Sequence, residues 1–319
     1  MRALVFNRQL RLITDYPAPT PQPGEALIRP HLVGICNTDI EVTRGYRNFQ
    51  GVLGHEFVGT VVACADSAWI GQRVVGEITA PCYRCPTCLR GDTGHCPYRT
   101  TLGIKARDGV MADYFVLPIA CLHRVPLQLP DEVAVFTEPT AAAVEILQQL
   151  HLYPTDRVAV IGDGKLGALI AQVVRLPGCA VTVVGHHPER WALFQRQGIV
   201  CTHEDALREG SFDTVIDCTG NPQGLAVARR SVRPRGRIVL KSTFQPPAGS
   251  PAAYLDLSML VVEEIQVLGS RCGPFAPALR LLEHGLIETA PLLEGRFALD
   301  DALAAFDAAH GRLKIVIEI

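Results

Sequence analysis

The sequence predicts an α/β chain in which a doubly wound parallel sheet is joined to a second, β-rich domain. Three observations predict it. From about Glu138 onward, apolar segments of strand length alternate with segments of helical period, the pattern of a parallel sheet covered on both faces. Three glycines, Gly162, Gly164 and Gly167, stand between the first of those strands and the helix that follows. Before Phe136 the pattern is different, with short apolar runs broken by Gly and Pro as in a barrel-like β domain.

In chain order, residues 26–29, 57–62 and 73–76 read as strands of the first stretch. The alternating stretch then predicts helix 138–150, strand 157–161, helix 166–175, strand 180–184, helix 189–196, strand 213–217, helix 223–231, strand 236–240 and strand 266–268. From about Arg271 the chain reads as helix 276–283, helix 300–309 and a terminal strand 314–319. Lys-Ile-Val-Ile-Glu-Ile is too apolar for a loose tail, so it is expected to pair back into the sheet of the first domain. The domains expected are therefore 1–137 with 271–319, and 138–270. Residues 245–253, rich in Pro, Gly and Ala, are the expected mobile loop.

Composition narrows the function classes. The chain has 319 residues, 48% hydrophobic and 19% charged, with a net charge of −2, so it can bury a sizeable core and lacks a field that would draw in nucleic acid. No apolar run approaches the ~18 residues that a membrane span requires. A small-molecule substrate and further copies of the chain are the expected partners. With no charged-then-apolar leader after Met1, a reducing cytoplasm is the expected location.

Eleven cysteines are present. Cys82, Cys85, Cys88 and Cys96 are separated by two, two and seven residues, a spacing that lets four thiolates surround one tetrahedral Zn²⁺. A disulfide pair would need an oxidising compartment, and the iron–sulfur spacing that also ends in Cys-Pro has a last gap of three residues, not seven. The lobe at about 81–97 therefore reads as a structural zinc site. Cys64, Cys121, Cys179, Cys201, Cys218 and Cys272 lie singly in strand-like contexts and read as packing residues. Cys36 is left over.

The glycine turn reads as a dinucleotide site. Gly162, Gly164 and Gly167 permit a tight turn, close approach of backbone to pyrophosphate, and tight helix packing, while the helix beginning near Lys165 and Leu166 offers free N–H groups. Asp163 is out of place beside phosphates and is expected to point away; Lys165 can assist them. An acid about twenty residues further on would hold the ribose 2′-hydroxyl of NAD, but Gly185 stands there, followed by His186, His187 and Arg190. That favours NADP. Glu189 is the alternative acid for NAD, and a solvated loop is the competing reading.

Three separated segments each carry one good metal ligand: Gly34-Ile-Cys36-Asn-Thr38-Asp39, Gly54-His55-Glu56 and Glu138-Pro139-Thr140. A thiolate, an imidazole and a carboxylate leave a fourth zinc position open, as catalysis requires. With the four-cysteine lobe, the glycine turn and Phe212-Asp-Thr-Val-Ile-Asp-Cys-Thr219-Gly220, the chain resembles the zinc-dependent medium-chain dehydrogenases that act on alcohols, polyols and threonine. The motifs run in family order over nearly the whole chain.

The resemblance implies a GroES-like catalytic domain, a Rossmann domain, an active-site cleft at their junction, two Zn²⁺ per chain, and NADP or NAD as cofactor. It implies that Cys36, His55 and Glu138 hold the catalytic zinc, with Glu56 an alternate or neighbouring ligand and Asp39 orienting the site. Thr38 resembles the family's proton-relay hydroxyl, though a threonine there can also cap a helix. Glu41 stands where some members carry a relay histidine. Thr219 and Gly220 are expected beside the cofactor. The implied reaction is hydride transfer between an alcohol, polyol or sugar and NAD(P), by a homodimer or homotetramer. Tyr46, Phe49, Ile104 and Arg271 are the loop residues expected around the substrate. Two other readings compete: a zinc-free quinone or enone reductase of the same superfamily, and a non-enzymatic zinc-lobe or redox-sensor protein.

Overall fold

The computed structural model describes residues 1–243 and 257–319. The chain forms two compact units, Met1–Glu138 with Phe275–Ile319, and Pro139–Pro274. The expected mobile loop at 245–253 lies outside the described residues.

In the first unit β1 (Ala3–Asn7) and β2 (Gln9–Ile13) make a hairpin that β4 (Gly51–Val52) extends. A seven-stranded sheet is built around β3 (Glu25–Gly34), in the order β10 (Leu122–Arg124), β6 (Arg73–Gly76), β5 (Glu56–Cys64), β3, β18 (Lys314–Glu318), β17 (Leu293–Ala298). β9 (Phe115–Pro118) pairs with the first half of β3. Along β3 burial alternates from Ala26 to Pro30, as one buried sheet face requires, and its last three residues are all buried. Pro30 has no N–H to donate, and the pairing with β5 slips between Pro30 and Leu32. Ile28, Val33, Phe57, Val61 and Phe115 fill the core, with the rings of Phe57 and Phe115 edge-on at 4.7 Å. Each such apolar side chain contributes roughly 1.5–3 kcal/mol on burial.

The terminal strand pairs with β3, Val316 opposite Gly34, as its apolar sequence requires. A short pair, β7 (Thr79–Ala80) and β8 (Thr100–Thr101), holds the four-cysteine lobe between its strands. Helices α1 (Asn37–Thr43), α2 (Pro86–Leu89) and α3 (Asp131–Ala134) precede α4 (Thr137–Gln149), which carries Glu138 in its first turn.

The second unit is a six-stranded, wholly parallel sheet, in the order β13 (Val200–Thr202), β12 (Ala180–Val184), β11 (Arg157–Ile161), β14 (Phe212–Asp217), β15 (Val232–Leu240), β16 (Gln266–Gly269). This is the doubly wound order in which the first strand lies beside the point where the strand order reverses. Helices α5 (Lys165–Arg175), α6 (Ala192–Gln195), α7 (Pro222–Ser231) and α8 (Leu257–Val262) belong to it. α9 (Phe275–Glu283) and α10 (Ala302–Ala309) return the chain to the first unit.

Three expectations are corrected. The helix expected over 189–196 is broken into a 3₁₀ turn, Pro188–Arg190, and the single-turn α6. β13 escaped notice because three residues show no period. The second unit continues to Pro274, past 270, because the backbone at Gly273 lies against α4: a Cβ there would meet the Ala141 carbonyl oxygen at 2.0 Å. Of the six single cysteines, Cys121 and Cys179 are buried, whereas Cys64, Cys201, Cys218 and Cys272 are half-buried.

Candidate active site and metal centres

The lobe fits zinc on geometry. Four sulfurs ~2.3 Å from one tetrahedral ion lie about 3.8 Å apart. Here Cys85 and Cys88 sulfurs are 3.5 Å apart, Cys96 and Cys82 3.6 Å, Cys85 and Cys96 3.8 Å, and Cys82 and Cys88 4.0 Å. All four thiols are free of disulfides. Cys85 immediately precedes α2 and Pro86 opens it, so the one-turn helix delivers Cys88 back to Cys85. The chemistry agrees. Main-chain N–H groups of Arg84 and then Cys85 favour the Cys82 thiolate and bring its pKa down to about 6, whereas burial and the neighbouring sulfurs push Cys88 up to about 12. Four sulfurs in one place cannot all ionise without a cation, and Zn²⁺ removes that conflict.

The second cluster forms where β3, β5 and β18 meet. Cys36 follows the end of β3 and caps α1; its backbone N–H donates to Asp39 Oδ2 at 2.8 Å. Cys36 is thus the N-cap and Asp39, at the third helical position, supplies the reciprocal arm of a capping box, whereas Thr38, inside the first turn, caps nothing. The Thr38 hydroxyl lies 3.7 Å from the Cys36 sulfur. His55 and Glu56 are contributed by the start of β5, and Cys36, His55 and Glu56 each offer a ligand atom within 4.8 Å of the others. His55 Nδ1 lies 3.1 Å from Asp39 Oδ1, which leaves Nε2 as the ligating nitrogen. Burial works against a charged His55, and Asp39 and Cys36 outweigh it, raising its pKa well above the usual range. A bound metal would displace that proton. Donor set and burial fit a zinc ion.

The carboxylate in this set is Glu56. Glu138 stays outside the mutually close group, in the first turn of α4. Gly34 lies opposite Glu56 in the sheet, and a Cβ on Gly34 would sit 2.2 Å from Glu56 Oε2, so the side chain folds over the glycine. There it meets Lys314, which opens β18; the two form an ion pair in which each side chain is 1% exposed. Burial works against the Lys314 charge, and Glu56, Cys36 and Glu138 outweigh it and raise its pKa. Lys314 escaped the sequence reading. Its signal was a cation opening an otherwise apolar run.

Glu41 is turned to Arg44, 2.8 Å away on the exposed side of α1, and so is committed elsewhere. Phe49, expected at the substrate, is buried in the core, with Tyr46 packed against the same cluster. Ile104 lines a surface cleft of about 580 Å³ with Arg47 and Asp108, and Arg271 lies in the second unit, its carbonyl accepting from Lys241.

In the second unit the three glycines do three different things. Gly162 has φ +111° and ends β11; Gly167 lies so close to the turn that a Cβ would be 2.0 Å from the Gly162 carbonyl oxygen. Gly164 precedes α5 with open space where a Cβ would be, beside Lys165 and Leu166 in the helix's first turn. This backbone geometry could cradle a pyrophosphate. At the end of β14 the Asp217 carboxylate accepts the Thr219 N–H at 2.8 Å and hydroxyl at 2.7 Å, and Gly220, at φ +65°, turns the chain toward α7. After β12, Gly185 is buried, His186 and His187 are exposed, and Arg190 lies in the 3₁₀ turn. Asp163 turns to His187.

Comparison with known proteins agrees with this architecture. Residues 22–127 match the alcohol dehydrogenase GroES-like domain, and residues 166–284 match the zinc-binding dehydrogenase domain. The chain is 30% identical to the erythritol/L-threitol dehydrogenase of Mycolicibacterium smegmatis, over 96% of this chain and 93% of that one. A zinc-binding dehydrogenase of Sinorhizobium meliloti 1021 bound to NADP superposes with a TM-score of 0.88 at 26% identity, covering 100% of this chain and 99% of the other. An alcohol dehydrogenase of Escherichia coli CFT073 complexed with NADH superposes with a TM-score of 0.89 at 25% identity, over 100% and 99% of the two chains.

Proposed function

The chain belongs to the zinc-dependent medium-chain dehydrogenases, and from that premise we propose that it oxidises a secondary hydroxyl of a small polyol or sugar with NADP⁺ as the preferred acceptor. The observation that carries the reading is the meeting of half-buried Cys36 with buried His55 and Glu56, where β3 ends and β5 begins. What zinc supplies when bound there is Lewis acidity, which makes a hydroxyl acidic near neutral pH. The nicotinamide, held through the cradle at Gly162, Gly164 and Gly167, supplies a hydride acceptor.

The chain's own residues do the rest. Asp39 fixes the His55 ring, so that Nε2 is presented without a search through rotamers. Lys314 holds Glu56 within the ligand set and balances its charge. The Thr38 hydroxyl, 3.7 Å from the Cys36 sulfur, is placed to take and pass on the proton released from the alcohol. Glu138 stands by as the second carboxylate, close enough to raise the Lys314 pKa. A polyol substrate is supported by the erythritol/L-threitol dehydrogenase relative, and NADP by the absence of an acid at Gly185 with His186, His187 and Arg190 beside it.

We place the enzyme in the cytoplasm, a reading supported by eleven free thiols, and read it as a homodimer or homotetramer. β16 is an edge of its sheet among the described residues, and Val261, Val262 and Val267 near it are exposed, an apolar edge that another copy would cover. No helix among the described residues is long and apolar enough to cross a membrane.

The test is nicotinamide reduction by zinc-loaded protein across primary alcohols, secondary alcohols, tetritols, pentitols, aldoses and threonine, with NAD⁺ and NADP⁺ in parallel. Turnover confined to polyols or sugars and faster with NADP⁺ is the expected result. Turnover confined to threonine or to simple primary alcohols overturns the substrate class. A zinc-stripped protein of full activity overturns the metal's role.

A further inference from the structure

Asp163 is the residue the proposed function leaves unexplained. It sits inside the glycine turn, where its charge opposes phosphate, and it is only 3% exposed. One residue engages its carboxylate twice: the His187 backbone N–H donates to Oδ2 at 2.8 Å, and His187 Nδ1 lies 2.8 Å from Oδ1. A carboxylate has no proton to give, so Nδ1 carries one hydrogen, and in the imidazolium form Nε2 carries a second that can be donated to a phosphate oxygen. Burial works against the Asp163 charge, but His187 outweighs it and holds the carboxyl below its usual range.

The same side chain occupies the volume in front of Gly185. A Cβ at Gly185 would lie 2.1 Å from Asp163 Oδ2 and 2.2 Å from its Cγ, too close for any residue but glycine. Gly185 is where β12 ends, the position from which an acid would reach a ribose 2′-hydroxyl. Positions 163 and 185 therefore share one volume, and a strand-end acid cannot be attached while Asp163 stands there. The carboxylate the chain does have is buried behind the rim and committed to His187. The rim itself carries His187, 47% exposed, and His186, whose Nδ1 is 3.0 Å from His203 Nε2. Asp205 Oδ2 lies 3.4 Å from His203 Nδ1, and Glu189 stands exposed in the 3₁₀ turn that follows His187.

We infer that positions 163 and 185 act as one switch for cofactor choice, Asp163 being a positioning residue that excludes a ribose-binding acid at 185 and holds His187 for the 2′-phosphate of NADP. The inference rests on the NADP reading above and explains how the fold enforces it. It also predicts that the two positions can be exchanged: moving the carboxylate from 163 to 185 restores the NAD arrangement.

The experiment is isothermal titration of the zinc-loaded enzyme with NADP⁺ and NAD⁺, for wild type, D163N, H187A and the double variant D163G/G185D. Wild type is expected to bind NADP⁺ the tighter. D163N and H187A should each weaken NADP⁺ by about tenfold or more, the size of one charge-assisted hydrogen bond, with NAD⁺ changed less than about twofold. D163G/G185D should prefer NAD⁺, whereas G185D alone, with its Cβ against Asp163, should bind both poorly. A merely structural role for Asp163 would weaken both cofactors alike and leave their ratio unchanged; that result overturns the inference while the NADP reading stands. A wild type that prefers NAD⁺ overturns the NADP reading and the inference together. Should D163N fail to fold, H187A and the double variant decide the question by the same ratio.

Discussion

Replacing Lys314 with methionine tests the account of the metal site from its least expected member. Met keeps most of the length and the packing beside Phe136, whose ring centroid is 5.6 Å from Nζ, and removes only the charge. A surface ion pair would cost about 0–1 kcal/mol to break, but Lys314 and Glu56 are each 1% exposed. Breaking a pair at that depth leaves a carboxylate without its cation, which costs roughly 3–5 kcal/mol. The loss should be largest in metal-free protein, because a metal held by Cys36, His55 and Glu56 supplies a replacement charge. Urea unfolding followed by tryptophan fluorescence in a W191F background reads the first unit alone, through Trp69. The double variant E56Q/K314M should recover most of the loss, since both charges are then gone. A metal-free Lys314→Met protein as stable as its parent, or a double variant no better than the single, refutes the reasoning.

Three further outcomes follow from the geometry. Cys36→Ser should abolish alcohol oxidation while the dissociation constant for NADP⁺, measured by titration, changes less than about twofold, because the two sites lie in different units; turnover equal to wild type would remove Cys36 from the ligand set. Cys88→Ser should lower zinc content by about one ion per chain and reduce thermal stability more than turnover per remaining active site, as expected for a closed four-sulfur site; unchanged zinc content would count against the lobe. Asp131 is held below the usual carboxylate range chiefly by its hydrogen bond with His31, with Arg73 adding to it. A depressed folded pKa gives stability that is fully present above the unfolded value of ~3.9 and is lost as pH falls through the folded value. The stability gap between wild type and Asp131→Asn should therefore shrink as pH falls from ~6 to ~3, and a gap independent of pH would refute that assignment.

What the sequence alone determined about this protein is what local spacing can encode. Cys82, Cys85, Cys88 and Cys96 are brought together by short turns, so their gaps already place four sulfurs where one ion could be held. The alternation of 2.0- and 3.6-residue periods specifies a parallel sheet, and three glycines between β11 and α5 specify the turn for a pyrophosphate, because neither depends on distant chain. The family likeness followed from the same motifs in order.

Tertiary structure alone decided which distant groups share a charge or a volume. Glu56 and Lys314 stand 258 residues apart, and only the pairing of β3 with both β5 and β18 across Gly34 makes them partners. That pairing places Glu56 in the set with Cys36 and His55, while Glu138 remains outside it. Thr38 looked fit to cap α1, yet Cys36 is the N-cap, with Asp39 closing the capping box. Asp163 and Gly185 belong to different motifs, and nothing in either motif shows that one side chain fills the other's space. Periodicity and spacing report the backbone's local geometry, whereas a buried charge chooses its partner by what the packed sheet leaves within reach.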